Sequence, residues 1–231
     1  MLVRDYMTRH PLMAEPDMPI IQARRYMWEN NIRHLPIVGD GKRLLGLVTR
    51  QTLLVDPSKL GSLDVWEISS YLSQLALEDV MIKARDVITA EPDTAIEEAA
   101  RTMASHRIGC LPVLEGGVSP HGIVVGIITD TDMLTHLMEM LATQKAGVRV
   151  TIRMPDVKGE LAKLVAAISA QGWGILACGG VPAPKNPDKW DAVVKIRGVS
   201  QDEVVAALGQ VEGQEITDVR QILGEPGPGD V

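Results

Sequence analysis

At 231 residues the chain has room for one large domain or two to three small ones, each able to bury a core. Its 45% apolar and 23% charged residues are the balance of a soluble globular protein, and a net charge of −7 argues against a general nucleic-acid binder, which needs a basic face. No run approaches the roughly 18 consecutive apolar residues of a membrane span. Met1-Leu2-Val3-Arg4-Asp5 lacks the apolar core of a signal peptide, so the expected location is cytoplasmic. Cys110 and Cys178 have no metal-type spacing between them and read as small core residues.

In chain order, the run Val3 to Leu54 is echoed by Leu77 to Leu134. Met7-Thr8 answers Met81-Ile82, Glu15-Pro16-Asp17 answers Glu91-Pro92-Asp93, Leu35-Pro36 answers Leu111-Pro112, and Gly46-Leu47-Val48-Thr49 answers Gly126-Ile127-Ile128-Thr129. In the first copy Asp17 is placed to cap a helix with Ile20, Ala23 and Met27 on one face; in the second Asp93 stands before Ile96, Ala99, Ala100 and Met103. A Leu-Pro strand follows each helix, then a turn and a second strand, Leu44 to Thr49 or Ile123 to Thr129. Each copy (1–55 and 77–145) therefore reads β-α-β-β-α, with 56–76 as a linker helix. Two copies of one unit should pair pseudo-symmetrically, since neither buries its apolar face alone.

The closing helix of the second copy runs out near Ala146-Gly147. A third unit, 147–223, begins with the alternating strand Val148, Val150, Ile152. A loop, Met154 to Gly159, leads to a helix with Leu161, Leu164, Val165 and Ile168 on one side. Strands Ile175 to Cys178 and Ala192 to Ile196, a helix Asp202 to Leu208 and a strand Ile216 to Leu223 complete a βαββαβ order, with helices on one face of an antiparallel sheet. The tail 224–231, rich in Gly, Pro and Asp, reads as disordered.

The repeated unit resembles the CBS domain, and the pair resembles a Bateman module. The residues that carry this are the Leu-Pro strand after a helix and the ending Gly-x-aliphatic-Thr-x-x-Asp, complete as Gly126-Ile127-Ile128-Thr129-Asp130-Thr131-Asp132. The linker and Leu77-Glu78-Asp79-Val80-Met81 look like acetoin-utilisation protein B-like members of that family. The third unit resembles the ACT domain on its element order, though its loop departs from the usual Asp-x-Pro-Gly. The fold class expected is thus α+β: two CBS units forming a Bateman module, plus a ferredoxin-like ACT domain.

The resemblance implies an adenine nucleotide, as AMP, ADP, ATP or an S-adenosyl compound, held as a regulatory ligand, with no cofactor required. Asp132 would accept from the ribose hydroxyls, Thr129 would donate to phosphate, and Cys110, Leu111 and Pro112 with Ile88 and Thr89 would frame the base. The first copy puts Thr52 where that Asp is expected, and carries Arg33-His34 where the second has Gly109-Cys110. One composite site follows, with Arg33 and His34 reaching phosphates of a nucleotide anchored by Asp132. Asp132 also stands where a helix begins and can act only as a cap, and Arg33 and His34 can be merely solvated. His106 and Cys110 are four apart, but two potential ligands without a third make no zinc site.

In the third unit Asp156, Val157, Lys158 and Gly159 lead into a helix N-terminus that attracts a carboxylate, which suits an amino acid. Lys158 in place of the usual Pro, and Gly174-Ile175 in place of Asn-Ile, favour a dimerisation or partner surface instead. No catalytic or metal-binding constellation assembles. The expected function is ligand sensing by a homodimer that acts on a regulated protein the sequence does not name. A scaffold without ligand and an amino-acid sensor stand as alternatives.

Overall fold

Residues 1–54, 74–117 and 122–224 are described by the computed structural model; the linker helix, the closing helix of the first copy after Leu54 and the tail fall largely or wholly outside them. Two compact units divide the chain, Met1–Met133 and Leu134–Val231. The division falls inside the helix Asp130–Met140, ahead of the Ala146-Gly147 boundary expected from sequence.

In the first unit α1 (Val3–Tyr6), β1 (Thr8–Arg9), α2 (Ile20–Glu29), β2 (His34–Val38) and β3 (Leu44–Thr49) form the first copy. The second copy repeats the order with α3 (Leu77–Val80), β4 (Ile82–Lys83), α4 (Ile96–His106), β5 (Cys110–Glu115) and β6 (Ile123–Thr129), and α5 (Asp130–Met140) follows. Neither copy keeps its own leading segment. The short β1 pairs with β6 of the second copy and β4 pairs with β3 of the first, giving two three-stranded sheets, β1-β6-β5 and β2-β3-β4. The exchange is symmetric bond for bond: Val3 N–H donates to Thr94 O and Leu77 N–H to Met18 O, while Ile96 N–H donates to Met1 O and Ile20 N–H to Leu75 O.

This exchange corrects the expected caps. Helices α2 and α4 begin at Ile20 and Ile96 behind Pro19 and Ala95, without a side-chain cap. Their first amides are satisfied by backbone carbonyls of the exchanged segments, so no carboxylate is needed there, and Asp93 pairs with Arg4 instead.

The same crossing explains the motif glycines. A Cβ on Gly46 would come within 2.5 Å of Ile82 O and 2.6 Å of Met81 Sδ, and one on Gly126 would run into Met7 Sδ. The apolar helix faces close on mixed cores. Ile20, Ala23 and Met27 pack with Leu35, Ile37, Val48 and the exchanged Leu77; Ile96, Ala99 and Met103 pack with Leu111, Val113, Ile128 and the exchanged Val3. Each buried aliphatic contributes on the order of 1.5–3 kcal/mol, so a copy without its partner's segment loses part of its core.

In the second unit β7 (Gly147–Pro155), α6 (Glu160–Ala170), β8 (Gly174–Pro182), β9 (Lys189–Arg197), α7 (Gln201–Leu208) and β10 (Glu215–Ile222) follow the expected βαββαβ order. The antiparallel sheet has strand order β10-β7-β9-β8, a ferredoxin-like arrangement. Val148, Val150, Ile152, Val194 and Ile196 on its inner face meet Leu164 and Ile168 of α6 and Val204 and Leu208 of α7. Cys110 is buried, but Cys178, on the edge strand β8, is exposed. Lys195 of β9 is buried and donates through Nζ to Ala142 O at 2.6 Å, holding the turn after α5 against this sheet.

Candidate functional site

The strand-to-helix corner Thr129–Asp132 is a reciprocal cap. Thr129 donates to Asp132 Oδ2 from its amide at 2.7 Å and from its hydroxyl at 2.8 Å, and Asp132 N–H donates back to Thr129 Oγ1 at 3.3 Å. The capping reading of Asp132 is therefore what the bonds display. Oδ2 caps α5, while Oδ1 carries no hydrogen bond among the described residues.

The first copy builds the same corner without a carboxylate. Thr52 Oγ1 accepts from Thr49 N–H at 3.0 Å and donates to Thr49 O at 3.0 Å, and Thr52 N–H donates to Thr49 Oγ1 at 3.1 Å. The hydroxyl spends its donor and one lone pair inside the turn. What remains is a poor receiver for two ribose hydroxyls.

Between these corners lie Arg33 and His34. Arg33 Nη2 donates to Asp130 Oδ1 at 2.5 Å and to Thr131 Oγ1 at 3.0 Å. Desolvation alone would raise the Asp130 carboxyl, but the bond and charge of Arg33 with the Thr131 bonds outweigh it and hold it below its ordinary range. Both side chains of the pair are about half exposed, at 47% and 52%, so the pair is weak and the guanidinium can be recruited by a ligand. Burial, helped by Arg33 and opposed by Asp130, lowers the pKa of His34. Its imidazole is neutral at pH 7 and offers hydrogen bonds rather than the charge expected of a basic pair. Burial, with Asp130 adding to it, pushes the Cys110 thiol up to about 12, so it serves as a small uncharged wall.

Two ligand-sized clefts open at these corners. One, of about 420 Å³, is lined by Thr129, Thr131 and Asp132 with Thr8, Pro11, Leu12, Ile32 and Ile127. The other, of about 530 Å³, is lined by Thr49, Arg50 and Thr52 with Ile88, Arg107, Ile108 and Cys110. Arg33 and His34 line both.

The grouping expected from sequence is thereby corrected. Thr129, Asp132, Arg33 and His34 come together, but Ile88 and Cys110 belong to the cleft of Thr52. Thr89 is half-buried and lines neither cleft, and Leu111 and Pro112 are buried in the sheet. The reason is the strand exchange: β1 lies beside β6, with Thr8 opposite Ile127, and carries Pro11 and Leu12 to Asp132. The missed wall residues Leu12 and Ile32 are the first-copy counterparts of Ile88 and Ile108. The repeat itself held that signal, read across copies instead of within one.

In the second unit Asp156, Val157, Lys158 and Gly159 form an exposed loop, with Gly159 in the left-handed region at φ 95°. The first residue of α6, Glu160, is buried there with its carboxylate bonded by Lys163 at 2.5 Å and Gln214 at 3.3 Å. These bonds, that of Lys163 foremost, hold its carboxyl below the ordinary range. At Gly174, a Cβ would lie 2.7 Å from Nε of Arg197, an exposed and flexible side chain that can move aside.

Interlocked copies with two clefts between them make up a paired repeat module. The CBS domain model matches residues 3–56 and 77–139, and the chain belongs to the CBS domain family. It is 31% identical over 134 residues to the L-aspartate semialdehyde sulfurtransferase of Methanocaldococcus jannaschii, a match covering 57% of this chain and 22% of that one. Among solved structures it is similar to the Vibrio cholerae protein assigned to acetoin utilization (AcuB), at 35% identity and a TM-score of 0.51, covering 62% of this chain and 95% of that one. The CBS domain pair of protein MJ0100, solved with 5′-methylthioadenosine and S-adenosyl-L-methionine, is 26% identical with a TM-score of 0.47, covering 59% and 95%. The chain spans less than half the length of the curated relatives it matches. No helix of the described residues is long and apolar enough to cross a membrane.

Proposed function

We propose that this chain is a regulatory sensor that binds the adenosine part of an adenine nucleotide or S-adenosyl compound in the cleft of Asp132. The ribose hydroxyls donate to Asp132 Oδ1, the base lies between Leu12 and Ile32, and the 5′ substituent extends toward Thr129, Arg33 and His34. The observation that carries this reading is the divided Asp132 carboxylate, with one oxygen capping and the other left to a ligand. Membership of the CBS family supports it, and the cleft of about 420 Å³ has the size of a small-molecule site.

The second unit serves as an ACT-like dimerisation or effector domain. Helix α5 carries Asp132 in its first turn, and the turn after it is bonded by Lys195. Occupancy is transmitted along that helix to the extent that the ligand prefers one of two conformations. The dimer forms through β8, a nine-residue edge strand without a single charged side chain, whereas the opposite edge, β10, carries Glu215, Asp218 and Arg220.

Calorimetric titration of the full chain with adenosine, AMP, ADP, ATP and S-adenosylmethionine tests the binding reading. At least one should bind to the parent and bind far more weakly to Asp132→Thr. A chain that binds none of them, yet remains a stable dimer, would be the ligand-free scaffold instead.

A further inference from the structure

The cleft of Thr52 has lost its ribose acceptor, but its charged residues have changed in a consistent direction. Where the cleft of Asp132 has Asn31, the counterpart here is Arg107, and where the other corner has Asp130, this one has Arg50. With Arg33, whose charge is shared with Asp130, three arginines line it, and its one lining acid, Asp86, also pairs with Arg85 at 3.4 Å. This concentration of positive charge occurs in a protein whose net charge is −7.

Arg107 is costly where it stands. It ends α4 in the left-handed region at φ 55°, as Asn31 ends the first-copy helix at φ 50°. Asn adopts that conformation readily, whereas Arg holds it at a conformational cost. Strain retained at the mouth of a cavity points to a use for the side chain. Beneath the guanidinium groups the walls are aliphatic: Leu47, Ile88, Ile108 and the protonated Cys110.

We propose that the cleft of Thr52 binds a small organic anion, a carboxylate or phosphate monoester carried on an apolar body, and does not take a nucleoside. The anionic head meets Arg107 and Arg50, the latter anchored by its Nε–H bond to Ile32 O at 3.2 Å. The apolar body lies on Leu47 and Ile108. Two cations on the rim of a cleft with an uncharged floor select for an anion with a short hydrocarbon part over a free inorganic ion. This inference does not depend on the nucleotide reading of the other cleft.

The test is calorimetry on the full chain at low salt, with hexanoate, hexyl phosphate, inorganic phosphate and hexanol as probes. Hexyl phosphate or hexanoate should bind, inorganic phosphate more weakly, and hexanol not measurably. Arg107→Asn copies the first-copy residue and relaxes the backbone, so it should hold or raise thermal stability while weakening the organic anion by roughly ten- to a hundredfold. Asp132→Thr should leave this binding unchanged. The proposal is overturned if neither organic anion binds, if Arg107→Asn binds them as the parent does, or if AMP displaces hexyl phosphate from the Asp132→Thr chain. None of these outcomes bears on whether adenosine binds at Asp132.

Discussion

Asp132 is asked to do two jobs, and the molecule contains the control that separates them. Replacing Asp132 by Ala removes the acceptor of the Thr129 amide and hydroxyl bonds, made at 2.7 and 2.8 Å. The lost cap costs about 1 kcal/mol, and the lost acid in the first turn of α5 a further ~0.5 kcal/mol. At ~2–4 °C per kcal/mol for a chain of this size, the melting temperature should fall by about 3–6 °C. Asp132→Thr should behave differently, because it recreates the corner already seen at Thr49–Thr52, where Thr52 Oγ1 accepts from Thr49 N–H at 3.0 Å. Its cost should stay near ~0.5 kcal/mol, or about 2 °C. For the ligand the two variants are equivalent, since both lack the free carboxylate oxygen. A charge-assisted hydrogen bond is worth ~1.5–3 kcal/mol, so adenosine or AMP should bind ~10–150-fold more weakly to each. Differential scanning calorimetry and isothermal titration read the two effects separately. Adenosine bound equally well by parent and Asp132→Thr would refute the ribose assignment; equal melting temperatures for the Ala variant and the parent would refute the cap.

The strand exchange predicts that Gly46→Ala and Gly126→Ala each destabilise by ~1–3 kcal/mol in chemical denaturation, since each Cβ meets a crossing segment; unchanged midpoints would mean that the segments do not cross there. His34 has a lowered pKa, so the unfolded chain binds its proton first and stability should fall as pH drops below about 6.5. Urea denaturation of parent and His34→Gln between pH 7.5 and 5 should show a shallower decline in the variant, and parallel curves would contradict the burial of the ring. At the edge strand β8, Gly179→Lys adds a charge where a Cβ has open space, so folding should persist while sedimentation shows monomer; a dimer that survives would place the interface elsewhere.

Much of the architecture is legible in periodicity and turn chemistry, which are local. The helix faces of Ile20, Ala23 and Met27 and of Ile96, Ala99 and Met103, the Leu-Pro strands and the βαββαβ order of the last unit all follow from spacing along the chain. So does the difference between Asp132 and Thr52, because a cap three residues into a turn is a short-range contact. Asp17 and Asp93 misled for the same reason: they suit a local cap, but Ile20 and Ile96 obtain their acceptors from Leu75 and Met1, remote in sequence.

What only the tertiary structure decided is which copy lends which wall. From sequence alone, Ile88 and Cys110 belong with Asp132, being in the same copy; the exchange of β1 and β4 instead places Leu12 and Ile32 at Asp132 and sends Ile88 and Cys110 to Thr52. Strand pairing between equivalent segments is settled by the energy of the whole assembled core, not by either segment's own preferences. The lowered pKa of His34 has the same origin, since its burial, the leading cause, is completed only once the two copies interlock, which also brings Asp130 to it. The repeat determined that there would be two clefts, and the crossing of its leading strands determined the chemistry of each.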